Sequence, residues 1–282
     1  MKQPAAEPAG ASLAIAMASR RGGRDRNEDA CGHWGWGKSA ITGPVCCVLA
    51  DGAGGHGAGD VASQVAVSTV LHAFAERPAC DPRRARELID LANQAVVAGQ
   101  STSEATRDMR STLVVWLGDA AQASAAWGHS GDSRLYCFRG GRLLSRTRDH
   151  SLYQAMIDAG LAEVGNLRGH PQRNILTACL GSSEQFEADV VAANHELLPG
   201  DAFLLCSDGF WEPLEDGMME AALQEAADVQ SWIDALEQSV ARVARAGQDN
   251  YSAIGVWYGS LKETPPGLDG RQYSSISNST EP

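Results

Sequence analysis

The chain has 282 residues, enough for one large domain or two small ones with a sizeable buried core. Hydrophobic residues make up 44% of it and charged residues 21%, which is ordinary for a soluble globular protein. The formal net charge of -12 argues against binding to nucleic acid or to an anionic membrane surface, because both attract basic faces.

The two ends differ in composition from the rest of the chain. We expect residues 1–11 and 261–282 to be disordered tails, the second being rich in Pro, Gly and Ser. The apolar stretch LAIAMA at 13–18 is too short for a membrane span, and with only Lys2 as a preceding positive side chain it is a weak signal peptide. Residues 12–260 are therefore predicted to form one domain that does not insert into membranes.

The predicted elements, in chain order, mix strands and helices without a regular βαβ alternation. Strand-like runs lie at 12–19, 44–50, 111–118, 123–130, 134–140, 201–207 and 251–259. Helical patterns lie at 58–77, 83–100, 150–159, about 216–226 and 229–246. This order favours an α+β fold, in which two packed antiparallel sheets with helices outside would use every element.

Several residues carry local structural predictions. Gly140-Gly141 indicates a hairpin turn, Asp149 is placed as an N-cap of the helix at 150–159, and Asp60 as a cap of the helix at 58–77. We interpret His129, His150 and His170 as loop or core residues rather than metal ligands, because magnesium-type sites favour oxygen.

The seven cysteines contain no C-x-x-C pair, so the strongest zinc signal is missing. We interpret them as reduced thiols of a cytoplasmic protein, most of them packed in the core. Cys46 and Cys47 are adjacent in a strand-like run and should point to opposite faces of the strand.

Aspartates recur where strand-like runs end beside glycine. Asp51, Asp132 and Asp208 follow such runs, and Asp249 precedes the last one. If they converged they would repel each other unless cations lay between them, and oxygen ligands suit Mg²⁺ or Mn²⁺. Gly52 would expose its carbonyl as one more ligand. The alternative for any single Asp-Gly pair is an ordinary turn.

The segment RGGRDRNEDA at 21–30 combines arginines with acids at the end of the first strand. Arg24 is suited to binding phosphate through paired donors, and Glu28 and Asp29 could hold metal-bound waters. The alternative is a solvated charged loop. The G-x-S-x-G pattern is absent from the sequence.

Taken in order, these motifs resemble the metal-dependent serine/threonine protein phosphatases of type 2C, in particular the compact bacterial members. The resemblance covers about residues 12–258. Its matching stretches are R-x-x-x-E-D at Arg24, Glu28 and Asp29, then LADGAGGHGAGDVAS, GHSGDSRLYCFRGG, RDHSLYQAMIDAG, HPQRNILTACLG, LLCSDGFWE and GQDNYSAI.

The resemblance implies a four-layer αββα sandwich that binds two Mn²⁺ or Mg²⁺ ions. Asp51 would bridge the ions, with the Gly52 carbonyl on one and Asp208 and Asp249 on the other. Asp132 would hold a third, weaker ion together with Asp208.

The resemblance also implies roles for the remaining site residues and a chemical mechanism. Arg24 would bind the substrate phosphate, and Glu28 and Asp29 would act mainly through metal-bound waters. A metal-bridged hydroxide would attack phosphorus in line. His56 is a candidate proton donor to the leaving group, with a metal-bound water as the alternative.

Two positions depart from the family pattern. Ala178 stands where the family often has arginine, and Ala53 where bacterial members often have methionine. These departures affect local contacts near a flap that we place at about 152–178.

The expected partners are phosphorylated proteins, with a Ser/Thr kinase and its targets among them. Two alternatives stay open: a catalytically weak regulatory binding module of the same fold, and a hydrolase of small-molecule phosphoesters. The full set of Asp51, Asp208 and Asp249 argues against the binding module.

Overall fold

The computed structural model describes residues 12–35, 40–53, 58–163, 170, 172, 174–183, 186–243 and 247–259. Within these ranges the strands are β1 (Leu13–Arg20), β2 (Asp29–Gly35), β3 (Pro44–Ala53), β4 (Arg110–Ser111), β5 (Leu113–Asp119), β6 (Ser124–Ser130), β7 (Arg134–Arg139), β8 (Arg142–Arg146), β9 (Asp189–Val190), β10 (His195–Glu196), β11 (Asp201–Cys206) and β12 (Tyr251–Tyr258). The α-helices are α1 (Gly59–Glu76), α2 (Pro82–Gln100), α3 (Leu152–Asp158), α4 (Asp208–Trp211), α5 (Asp216–Glu225) and α6 (Val229–Val243). None of these helices is both long enough and apolar enough to pass through a bilayer.

The strands form two antiparallel sheets. A five-stranded sheet has the order β1-β12-β11-β7-β8. A seven-stranded sheet has the order β10-β6-β5-β3-β2, with β4 added beside β3 and β9 beside β6. The first and last strands are neighbours, since Leu13 pairs with Tyr258 and Arg20 with Tyr251.

Three apolar layers hold the sheets and helices together. The layer between the sheets is built from side chains such as Cys47, Leu49 and Trp116 of one sheet and Leu205 and Ile254 of the other. A second layer joins the outer face of the seven-stranded sheet to α1 and α2, and a third joins the outer face of the five-stranded sheet to α5 and α6. The predicted α+β fold, an αββα sandwich, is confirmed.

The alternation of strand side chains explains how one strand serves two layers. Cys46 belongs to the layer under α1 and α2, whereas Cys47 belongs to the layer between the sheets. Their predicted opposite orientation is confirmed, because successive strand residues point to opposite faces. All seven cysteines are free thiols.

The predicted hairpin is confirmed at Gly140-Gly141, which connects β7 to β8. Both glycines have positive φ, 58° and 73°, as a two-residue hairpin loop of this kind requires.

Both predicted helix caps are wrong. Helix α3 is capped by Ser151, whose hydroxyl oxygen accepts from the Gln154 amide at 3.2 Å. The buried Asp149 instead accepts two hydrogen bonds of 2.7 Å from Arg134, and this ion pair outcompetes a local cap. Helix α1 has Ala58 at its N-cap position, so Asp60 lies inside the first turn.

Candidate metal centre

Four segments that are far apart in the sequence end at one cleft of about 220 Å³. Asp51 and Gly52 lie near the end of β3, Asp132 follows β6, Asp208 begins α4 directly after β11, and Asp249 precedes β12. The lining residues are Arg24, Glu28, Asp51, Gly52, Ala53, Thr112, Asp132, Asn174, Leu176, Asp208, Asp249 and Asn250. The structure therefore brings together all five predicted metal ligands with Arg24 and Glu28.

Asp29 reaches the same carboxylate cluster from the neighbouring strand. It stands directly opposite Asp51 in the β2–β3 pairing and is 7% exposed. The Ser207 hydroxyl donates to its Oδ2 at 2.8 Å, but its Oδ1 is buried and has no hydrogen-bond partner within the described ranges. A buried carboxylate oxygen without a donor is costly, and a bound cation would satisfy it.

The electrostatics of the cluster also favour cations. Burial, reinforced by the neighbouring carboxylates, raises the pKa of Asp51 and of Asp208 well above its usual range. Burial likewise raises the pKa of Asp29 to about 6 and that of Asp132 to about 7. Carboxylates crowded in this way ionise together only when positive charge lies between them. The all-oxygen donor set fits hard divalent ions such as Mg²⁺ and Mn²⁺.

Gly52 is required by close packing at the start of α1. A Cβ atom at this position would lie 2.0 Å from the carbonyl oxygen of Gly59 and 2.8 Å from that of Glu28. The Gly52 amide donates to the same Glu28 oxygen at 3.1 Å. The absence of a side chain therefore lets β3, α1 and the Glu28 segment meet at the cleft. The use of the Gly52 carbonyl as a metal ligand stays a prediction.

Arg24 stands at the cleft as a half-exposed cation. Its Nη2 donates to Oδ2 of Asp249 at 2.7 Å, and its side chain is 54% exposed. Glu28 lines the same cleft, and its pKa is raised, first by burial and then by the charge of Asp60. The arginine thus lies within reach of both the carboxylates and an incoming anion.

Thr112 holds the main chain of Asp51, a role that sequence reasoning missed. The Asp51 amide donates to Thr112 Oγ1 at 2.9 Å, and the Thr112 amide donates to the Asp51 carbonyl at 2.8 Å. Thr112 Oγ1 also lies 2.7 Å from Ser133 Oγ, which links Asp51 to the Asp132 segment. No sequence signal marked Thr112, because a threonine before a strand is unremarkable.

Asn250 holds the segment that carries Arg24. Its Oδ1 accepts from the Glu28 amide at 2.8 Å, and its Nδ2 donates to the carbonyls of Arg21 at 2.6 Å and Arg26 at 2.8 Å. The position of Asn250 next to Asp249 in the GQDN motif is a sequence signal that could have indicated this role.

The predicted flap contributes to the cleft as well. Asn174 and Leu176 line it, whereas Ala178 is buried and does not. Ala53 lies at the cleft in the position that we singled out as a departure. His56, the candidate proton donor, lies outside the described residues.

Comparisons with known proteins agree with this architecture. The serine/threonine protein phosphatase PstP of Mycobacterium tuberculosis is 32% identical over 187 residues, which cover 66% of this chain and 35% of PstP, about a third of its length. The protein phosphatase PhpP of Streptococcus pneumoniae is 33% identical over 191 residues, covering 66% of this chain and 74% of PhpP. The solved catalytic domain of PstP in complex with two manganese ions superposes with a TM-score of 0.74 at 27% identity, covering 89% of this chain and 100% of that domain.

With its two packed sheets and its carboxylate-lined cleft, the chain thus has the fold of serine/threonine phosphatases. The family model described as protein phosphatase 2C matches residues 18–250. The chain belongs to the protein phosphatase 2C family, as the motif resemblance predicted.

Proposed function

We propose that this protein is a metal-dependent phosphatase that hydrolyses phosphoserine and phosphothreonine in proteins. The observation that carries the proposal is the convergence of Asp51, Asp132, Asp208 and Asp249 on one cleft with Arg24 at its edge. The carboxylates form a cation site, and the arginine supplies a phosphate-binding donor beside it.

The proposed ligands for two Mn²⁺ or Mg²⁺ ions are Asp51, the Gly52 carbonyl, Asp208 and Asp249, with Asp132 and Asp208 available for a third, weaker ion. When bound, such ions lower the pKa of water and neutralise charge on phosphoryl oxygens. The solved PstP domain contains two manganese ions, which supports the proposal of two ions.

The chain's own residues position the substrate. Arg24 is paired with Asp249 through Nη2, so this nitrogen must leave the carboxylate before it can donate to a phosphate. A cation bound at Asp249 would neutralise part of the carboxylate charge, which would weaken its pairing with Arg24 and free the guanidinium. Asn250 fixes the main chain on both sides of Arg24, which limits where the freed side chain can reach. Glu28 and Asp29 are proposed to orient waters at the site, and His56 to donate a proton to the leaving group.

The proposed substrate class rests on the named relatives, PstP and PhpP, which are protein phosphatases. We extend the proposal to a cytoplasmic enzyme that opposes a Ser/Thr kinase acting on the same targets.

The first test is turnover of para-nitrophenyl phosphate with Mn²⁺ and then with excess chelator. We expect chelation to abolish turnover and Asp208→Asn to lower kcat by at least about a hundredfold, since bound ions supply several kcal/mol of transition-state stabilisation. Asp90→Asn, which removes an exposed carboxylate paired with Arg86 on α2, is the matched control and should keep wild-type turnover. Wild-type turnover by a folded Asp208→Asn protein would overturn the site assignment.

The second test separates protein substrates from small molecules. A phosphothreonine peptide should be hydrolysed with a higher kcat/KM than a nucleotide or sugar phosphate. The reverse order would support a small-molecule phosphoester hydrolase, and peptide binding without turnover would support a regulatory binding module.

A further inference from the structure

Two histidines and an aspartate that the proposed mechanism does not use meet on the seven-stranded sheet. His129 lies on β6 directly opposite Asp189 on β9, so their side chains leave the sheet on the same face. His150, just before α3, stacks its ring on that of His129 with the centroids 4.6 Å apart. One donor atom from each of the three side chains lies within 4.8 Å of the other two.

His129 is prepared to act as a ligand. It is 2% exposed, and its Nε2 lies 2.7 Å from the carbonyl oxygen of Arg148, which fixes the proton on Nε2. Its Nδ1, which carries the lone pair in this tautomer, makes no hydrogen bond to any described residue. Burial, together with the charge of His150, lowers the pKa of His129 to about 4, so the ring is neutral at pH 7. Metal-binding histidines are oriented in this way, with the second ring nitrogen donating to a carbonyl.

His150 and Asp189 supply two further donors at a suitable spacing. His150 Nε2 and Asp189 Oδ2 are 3.3 Å apart. Ligand atoms around a tetrahedral zinc ion are also separated by about 3.3 Å, given metal–ligand distances of about 2.0–2.1 Å. The Asp189 side chain is 69% exposed and can move toward His129. Coordination through His150 Nε2 would replace the long 3.3 Å contact between the Gly131 amide and His150 Nδ1.

The site has room for an ion to enter and is separate from the carboxylate cleft. An open cavity of about 230 Å³ is lined by His129 and Asp189, together with Trp127, Thr147 and Arg148. None of the three proposed ligands lines the carboxylate cleft.

We propose that His129, His150 and Asp189 form a second metal site that takes a zinc-type divalent transition ion. Two imidazole nitrogens and one carboxylate, with the fourth position open to water, are a typical zinc donor set. Mg²⁺ and Mn²⁺ prefer oxygen, so the two sites of the protein select different ions. An ion at this site would cross-link β6, β9 and the segment before α3. Whether or not the protein is a phosphatase, the inference stands on these three side chains.

The test uses the full, untagged chain with saturating Mg²⁺, so that the carboxylate cleft is filled, and titrates Co²⁺ as a spectroscopic substitute for Zn²⁺. We expect one equivalent of Co²⁺ to give the visible absorption of a low-coordinate site with nitrogen ligands, and Zn²⁺ to displace it. Asp189→Ala and His150→Phe should each weaken Co²⁺ binding by at least about tenfold. The phenylalanine keeps a ring against His129, which protects the packing.

His72→Gln is the matched control, because it removes an exposed histidine on α1 and should leave the Co²⁺ affinity unchanged.

A thermal-unfolding series provides a second readout, since an ion that binds only the folded state raises Tm. Zn²⁺ should raise Tm above that of the Mg²⁺-saturated wild type and should not do so in Asp189→Ala. The inference is overturned if both variants bind Co²⁺ as the wild type does, or if excess Mg²⁺ removes the Co²⁺ spectrum.

Discussion

Removal of the metal ions leaves the carboxylate cluster uncompensated, and we expect the metal-free protein to lose stability as the pH rises. Burial raises the pKa of Asp132 from 3.8 to about 7 and that of Asp29 from 3.8 to about 6. Between pH 3.8 and these folded-state values, the unfolded chain has released protons that the folded chain still holds. Rising pH therefore favours unfolding throughout this window, and the full loss is reached above about pH 7.

The size of the effect follows from the shift at Asp132. From about pH 5 to about pH 7 the free energy of unfolding falls by up to about 1.4 kcal/mol per pH unit for this one group, or about 2 kcal/mol in total, because the slope halves at the folded-state pKa. Domains are stable by about 5–15 kcal/mol in total, so the loss is easily measured. Metal ions bind the ionised carboxylates, so the stabilisation that they add should grow over the same pH range.

The assay is urea unfolding followed by tryptophan fluorescence at both pH values and constant ionic strength. Each sample is measured with chelator and with saturating Mn²⁺. Asp132→Asn should lessen the pH dependence of the chelated protein by the share of this one carboxyl, whereas the exposed control Asp90→Asn should leave it unchanged. Equal or greater stability of the chelated wild type at the higher pH would refute the electrostatic reasoning, as would an unchanged pH dependence in Asp132→Asn.

Three further predictions follow from single contacts. Arg24→Ala should lower kcat/KM for a phosphothreonine peptide by about tenfold to a hundredfold, since hydrogen bonds to charged groups contribute about 1.5–3 kcal/mol. The same variant should raise the Mn²⁺ affinity in a calorimetric titration, because it releases Asp249 from its pairing with Arg24. Unchanged values for both would contradict the proposed exchange of partners. Gly52→Ala should destabilise the fold by about 1–3 kcal/mol in urea unfolding, because its Cβ would lie 2.0 Å from a carbonyl oxygen. Gly217→Ala should not, because a Cβ there would have no atom of a described residue within 4 Å. Arg134→Met should lower the free energy of unfolding by about 3–5 kcal/mol because it leaves a buried carboxylate unpaired, and a loss below about 1 kcal/mol would count against a structural role for the ion pair.

The sequence predicted the helices and strands whose own residues show a regular pattern of apolar positions. The long helices and the apolar strands were found because burial on one or both faces leaves a regular pattern. Strand β2 was missed, since its residues DACGHWG are mostly half-buried and begin inside a charged run. Without β2, the direct pairing of Asp29 with Asp51 could not be foreseen. The structure brings the predicted acids to one cleft, but the sequence did not indicate how Asp29 and Asp51 become neighbours.

Asp149 shows the limit of local rules more clearly. An aspartate just before a helix is a good N-cap, but Arg134 offers two charge-assisted hydrogen bonds inside the core. The guanidinium also lies 3.4 Å from the centroid of the Trp211 ring, and that indole donates to the Asp132 carbonyl at 3.0 Å. The buried ion pair thus supports a cleft residue through contacts that sequence spacing does not encode.

The carboxylates repel each other most strongly when no ion is bound, so their positions must be held by contacts other than the ions. Thr112 makes reciprocal hydrogen bonds with the Asp51 main chain, and Asn250 makes three with the Arg21–Glu28 segment. Main-chain hydrogen bonds of this kind resist the outward movement that repulsion favours, without adding ligands of their own. A cleft that must be ready for cations before they arrive therefore needs neutral polar side chains as much as acids. Such residues carry no charge pattern, and for Thr112 only the folded structure shows the role.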